Sequence, residues 1–180
     1  MTAKQRTCRR TGLARYSAPV GFLDRLKGLL PRGRPLVPRE PVTYRPVGVV
    51  HNHVRTSRLS GWDDVRSDIF LREDLAGALE GLDDFSHVIV VFHVDKVPES
   101  EQRLRLPVGT DGVERGVFAT RSQRRPNAIG ISVVPIVHRR LGVLRVVGLD
   151  AIDGTPVLDL KPYLPAFDAA LDAKLAPWAE

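Results

Sequence analysis

The 180-residue chain is long enough for one domain with a real core, and its 43% hydrophobic and 27% charged content is that of a soluble globular protein. Its single cysteine, Cys8, rules out a disulfide framework or a cysteine metal site, and no apolar run approaches the ~20 residues of a membrane span, so a cytoplasmic chain is expected. The net charge of +6 is uneven: residues 1–41 hold ten Lys or Arg against Asp24 and Glu40, so the high pI belongs to that segment and does not mark the rest as a nucleic-acid surface.

In chain order, residues 1–41 read as a basic, disordered extension, rich in Arg, Pro and Gly. Within it, Phe22, Leu23, Leu26, Leu29 and Leu30 have helical spacing, as in a short amphipathic helix. A domain is expected from residue 42 to residue 165. Residues 44–52 predict a strand, with Pro46 at its edge or start. Residues 69–71 predict a short strand, and residues 74–82 a helix capped by Asp74 and ended by Gly81. Residues 87–94 are apolar on both faces and predict the central strand. Further strands are expected over residues 103–108, 116–120, 131–139, 142–149 and 157–160, and a short helix over 167–175 within the C-terminal segment 166–180. Close-spaced short strands without long alternating helices predict a mainly β fold, a small antiparallel barrel with short helices.

Residues 116–132 stand out. Arg121, Arg124 and Arg125 lie between two apolar strands, in a loop stiffened by Pro126 and longer than an ordinary hairpin turn. Guanidinium groups gathered there fit an anionic or planar ligand. The residues alone equally allow a solvated loop.

The stretch Gly116-Val-Phe-Ala-Thr-Arg-Ser-x-x-Arg-Pro-Asn-x-Ile-Gly resembles the signature of the TsaA-like (YaeB, TrmO) family. Three more segments resemble that family in the same order: Tyr44-Arg-Pro-Val-Gly-Val-Val, Leu79-Glu-Gly-Leu-Asp-Asp-Phe-Ser-His, and Leu149-Asp-Ala-Ile-Asp-Gly-Thr-Pro-Val-Leu-Asp-Leu-Lys-Pro-Tyr. The resemblance implies a β-barrel, usually a homodimer, that binds S-adenosyl-L-methionine and methylates N6 of threonylcarbamoyl-adenosine next to the anticodon of tRNA. The alternatives are another nucleoside or small-molecule acceptor, or a non-catalytic barrel that binds RNA or a ligand. No Gly-x-Gly strand-turn-helix stretch supports a Rossmann-type enzyme. Because the chain ends soon after the matched segments, the further C-terminal domain of some bacterial members is expected to be absent.

The resemblance also implies a set of cofactor-binding residues. Asn52, His53 and Val54 stand where the family usually has Ser-Pro followed by an aromatic residue or Arg. Ser86 and His87 are in the set, as are Arg115 and Arg125. So is the segment Asp153, Gly154, Thr155 and Pro156, where a glycine permits close approach and Asp and Thr can hydrogen-bond the amino-acid or ribose part. Taken alone, that segment reads as an ordinary Asp-Gly turn. Arg121 and Asn127 are assigned to the substrate. Arg124 and Ala128 depart from the family's usual apolar residue and Pro. Asp153 and His87 are candidates for the base that takes the N6 proton, with neither assigned. His51 and His53 have the spacing of a metal pair, but no Cys or further His completes the set and no metal is expected. The arginine loop is expected to form one wall of a pocket facing both Ser86-His87 and the Asp153 turn.

Overall fold

The computed structural model describes residues 41–109 and 111–179; the helical spacing read in residues 21–30 and most of the basic extension lie outside the described residues. From Tyr44 onward the chain forms one compact unit. Among the described residues eight strands occur in chain order: β1 (Gly48–His51), β2 (Arg66–Leu71), β3 (His87–His93), β4 (Arg105–Pro107), β5 (Glu114–Gly116), β6 (Ile129–Arg140), β7 (Val143–Val147) and β8 (Pro156–Pro162). Six close into a barrel in the order β1-β2-β7-β6-β3-β8, and β4 and β5 form a separate two-stranded sheet. Every pairing is antiparallel. Closure leaves the barrel no free edge.

Period-two alternation decides the barrel's interior. In β2, Ser67 and Ile69 point inward while Arg66 and Phe70 point out, and in β7 Leu144 and Val146 alternate with Val143, Arg145 and Val147. Val50, Ile69, Val88, Val90, Phe92, Val134, Leu144, Val146 and Val157 fill the cylinder as one cluster. A six-stranded barrel is narrow enough to be packed by side chains alone. Gly130 in β6 makes room for Phe92, since a Cβ there would sit 2.3 Å from the phenyl ring. On the outside, Arg145 makes a two-armed bond to Asp68 across the β2–β7 pair, 2.6 Å on each arm, which lowers the Asp68 pKa below the ordinary carboxylate value.

The strand over residues 87–94 is central as expected, flanked by β6 and β8. Three local expectations fail. Residues 116–120 do not continue a strand: β5 stops at Gly116 and Val117–Ala119 is a 3-10 turn, which buries Val117 and turns Phe118 out to solvent. Residues 74–82 are not one α-helix. They form a 3-10 turn, Glu73–Leu79, followed by Gly81 in a left-handed conformation and a second 3-10 turn, Leu82–Asp84. Gly77 in its middle weakens an α-helix, and Asp74 does not cap it but binds Arg72 at 2.6 Å. The C-terminal helix is a single turn, Pro165–Asp168, not residues 167–175. Leu171 and Leu175 are largely exposed, so no buried face supports a longer one.

The registers sort the connections by end. At one end lie the long connections β1–β2, β3–β6 and β7–β8; at the other lie β2–β3, the Leu141–Gly142 hairpin between β6 and β7, and the exit from β8.

Candidate functional site

The three long connections enclose a cavity of about 690 Å³. One wall is Arg121 to Arg124, a second is Ser57 to Leu59 with Trp62, a third is Val94 to Val97, and Asp150, Ala151, Ile152 and Thr155 close the base. That volume is within the range for small-molecule sites, and the mixture of cations, carboxylates and apolar groups suits a zwitterionic or phosphorylated ligand. A second cleft, about 560 Å³, lies at the opposite end and is mostly apolar, lined among others by Leu75, Leu79, Leu82, Phe85 and Leu160.

The arginine loop is held by its own side chains. Thr120 Oγ1 donates to the Val117 carbonyl at 2.8 Å and accepts from the Ser122 amide at 3.2 Å, and Ser122 Oγ accepts from the Arg124 amide at 3.2 Å. Arg125 turns inward, donating from Nε to the Ser122 carbonyl at 3.0 Å and from Nη2 to the Thr120 carbonyl at 2.7 Å. Arg115 is likewise committed. It donates to the Val108 carbonyl at 2.7 Å, to both oxygens of Asp111 at 2.8 and 2.5 Å, and stacks 4.2 Å from the Trp178 ring. Its guanidinium holds the Asp111 carboxyl well below the usual range. Of the arginines singled out in the sequence, Arg121 and Arg124 are therefore the ones that present charge to the cavity. Arg121 makes one bond, to the Ile131 carbonyl at 3.0 Å, and Arg124 makes a loose pair with Glu101 at 3.7 Å. Asn127 is exposed beside Pro126 and does not line the cavity.

The expected segments 52–54 and 153–156 meet next to this cavity. Asp153 accepts from the Asn52 amide at 3.1 Å and pairs with Arg55 and with His51 Nδ1 at 3.3 Å. The Asn52 amide is the first cause of its lowered pKa, with the charges of Arg55 and His51 adding to it. A carboxylate held in that way is a weak proton acceptor, so Asp153 serves geometry better than base catalysis. Asn52 Nδ2 donates to Ser67 Oγ at 2.9 Å and the Ala151 carbonyl at 2.8 Å, and its Oδ1 accepts from the Val54 amide at 2.9 Å. Val54 is buried and His53 exposed. Gly154 has φ 83°, and the space its missing Cβ leaves is open. Thr155 is buried at the cavity base, and Pro156 opens β8.

Ser86 and His87 are not in this group. His87 opens β3 and Ser86 precedes it; His87 is paired to Pro135 and the Tyr163 amide donates to the His87 carbonyl at 3.1 Å, so both stand at the opposite end of the same barrel. Ser86 Oγ lies 2.9 Å from His87 Nδ1. A single chain does not place this pair across from the arginine loop. Sequence reasoning also passed over Asp150, Asp95 and Trp62 as cavity residues. Asp150 accepts from Ser132 Oγ, and only its place three residues before Asp153 in the closing motif could have marked it. Among the described residues no group of three or more His, Cys, Asp or Glu is arranged for a metal, and no helix is long and apolar enough to cross a membrane.

The fold and cavity meet an independent finding: residues 54–169 match the tRNA-methyltransferase O N-terminal domain. The chain belongs to that family. Relatives of the tRNA-methyltransferase O N-terminal domain include an S-adenosyl-L-methionine-binding protein of Archaeoglobus fulgidus, 38% identical over 128 residues, covering 69% of this chain and 91% of the relative. They also include the tRNA (adenine(37)-N6)-methyltransferase of Escherichia coli, 41% identical over 104 residues, covering 54% of this chain and 44% of that enzyme. A crystal structure of TrmO from Pseudomonas aeruginosa superposes with a TM-score of 0.65 at 32% identity, covering 78% of this chain and 63% of that one. The chain thus spans most of its archaeal relative but less than two thirds of the solved TrmO chain and under half of the E. coli enzyme.

Proposed function

We propose that this protein is an S-adenosyl-L-methionine-dependent methyltransferase acting on N6 of threonylcarbamoyl-adenosine beside the anticodon of tRNA, and that residues 42–165 carry the activity. The carrying observation is the polar cavity at the end of the barrel, lined by Arg121, Arg124 and Thr155, with the 52–54 and 153–156 segments joined beside it. The donor set fits the cofactor: Arg121 and Arg124 match its carboxylate, Asp95 its ammonium, and Gly154, beside the cavity, leaves its backbone approachable. When bound, the cofactor supplies an electrophilic methyl group. The chain's part is to aim the acceptor nitrogen, exclude water and take up one proton. Asp150 is better suited to the proton than Asp153, because it faces the cavity and, among the described residues, has only Ser132 Oγ as a partner. A cytoplasmic location follows from a tRNA substrate. The basic segment 1–41 is then an extension that adds cationic charge for tRNA, and residues 166–180 a short tail.

Two measurements test this reading. S-adenosylmethionine should raise the melting temperature, by an amount set by its concentration relative to Kd. Mass spectrometry of tRNA nucleosides should show a methyl group on threonylcarbamoyl-adenosine only with the protein present. No thermal shift at millimolar cofactor sinks the methyltransferase; a shift with unmodified tRNA redirects it to another acceptor.

The same reading includes a homodimer, supported by the outer face of β6. Ile129, Ile131, Val133 and Val137 lie on that face with Pro135 and are each 41 to 48% exposed, an apolar ridge unusual for a solvated strand. The ridge runs from the cavity end, at Ile129, to the Ser86-His87 end, at Pro135. A two-fold axis crossing it near Val133 would bring one barrel's Ser86-His87 end to the other's cavity end, which is how that pair could serve the site. Ile131→Glu should convert a dimer in sedimentation to a monomer; a wild-type monomer at micromolar concentration rules the arrangement out.

A further inference from the structure

The β1–β2 connection contributes a feature that the proposed methyl transfer does not require. Trp62 is half-buried at the cavity wall and is absent from the barrel's core cluster, which is aliphatic apart from Phe92. Its single polar atom is already used, Nε1 donating to the Arg58 carbonyl at 3.3 Å. What Trp62 offers is its flat face, over which the Arg58 guanidinium lies 4.7 Å from the ring centroid. Leu59, between them in sequence, is fully exposed, so this connection stands at the rim where a large substrate arrives. Across the cavity are Arg121, which has one bond to the Ile131 carbonyl, and Arg124, loosely paired with Glu101.

An aromatic ring with a stacked guanidinium at the rim of a cavity is chemistry that holds unpaired nucleic acid: a base stacks on the planar groups while a phosphate meets the charge. A structural indole would be expected to be buried in the core, and this one is half-buried and lines a cavity large enough for a nucleoside. We infer that Trp62, with Arg58, is the stacking surface for an unpaired base of the RNA substrate. This rests on the proposed function and names the residue that seats the RNA.

The chain's two tryptophans are Trp62 and Trp178, so Trp178→Phe, which keeps a ring beneath Arg115, leaves Trp62 as the only indole reporter. This protein is titrated with an anticodon stem-loop RNA bearing adenosine at position 37, with the same RNA abasic at that position, and with S-adenosylhomocysteine alone. The inference expects indole quenching by the first RNA and little by the abasic one. Trp62→Ala should weaken binding of the adenosine RNA about tenfold, and Trp62→Phe should recover most of that loss. Equal affinity of Trp62→Ala and wild type, equal quenching by both RNAs, or quenching by S-adenosylhomocysteine without RNA each overturns it, the last by assigning the ring to the cofactor's adenine. If those results come with intact tRNA methylation by the wild type, only this inference falls. If the wild type neither binds nor methylates tRNA, the proposed function falls with it.

Discussion

Asp153→Ala is expected to lower methyl transfer on the order of 100-fold and to remove the cofactor's thermal shift, while the barrel stays folded. The carboxylate ties His51 at the end of β1, and the Asn52 amide and Arg55 just after it, to the turn that precedes β8. Without it the amide of Asn52 loses its acceptor, and the 52–55 exit is held to the turn only by backbone bonds, from the Asp153 amide to the Val54 carbonyl and from the Gly154 amide to the Val50 carbonyl, 2.8 Å each. The barrel does not depend on this link, because β1 and β8 also pair through Gly48↔Val157 and Val49↔Pro156. Asp153→Asn separates the components. It keeps an oxygen for the Asn52 amide and loses the charge seen by Arg55 and His51, so it should fall between Ala and wild type. A full thermal shift in the Ala variant would show that the turn holds its shape unaided.

Leu144→Ala is the expected largest loss of stability. Leu144 is fully buried in β7, inside the cylinder, and no loop can collapse onto the space it leaves. Truncation should cost about 2–5 kcal/mol and lower Tm on the order of 10 °C, read by calorimetry. Leu141→Ala, in the exposed hairpin next to it, should change stability by less than about 0.5 kcal/mol. Similar losses at both positions would mean that the barrel core does not carry the stability.

The barrel was legible because period-two alternation and apolar runs report burial directly, as in residues 87–94 and 143–147. Where local geometry is set by hydrogen bonds to nearby carbonyls, the sequence was less informative. Gly-Val-Phe-Ala-Thr reads as a strand, yet Thr120 turns back on Val117 and makes a 3-10 turn. The arginines show the same limit. Arg121, Arg124 and Arg125 are equivalent as letters, and only the bonds from Arg125 to the Ser122 and Thr120 carbonyls reveal it as a brace. Which motifs share an end of the barrel is a matter of strand order and register. Ser86-His87 therefore read as a neighbour of Asp153 although one chain sets them at opposite ends. Trp62 and Asp150 carry no spacing pattern and emerge only once the connections are folded around the cavity.

The strand order also bears on how the chain is made. β8 is the staple between β1 and β3, and of the barrel's six strands it is the last to be synthesised. Until residues near Val157 exist, β1 and β3 each present an unpaired edge, and the apolar interior is open along one seam. A nascent chain halted before that point would be a sticky, half-rolled sheet, so completion of the final strand is the event that turns it into a self-contained cylinder.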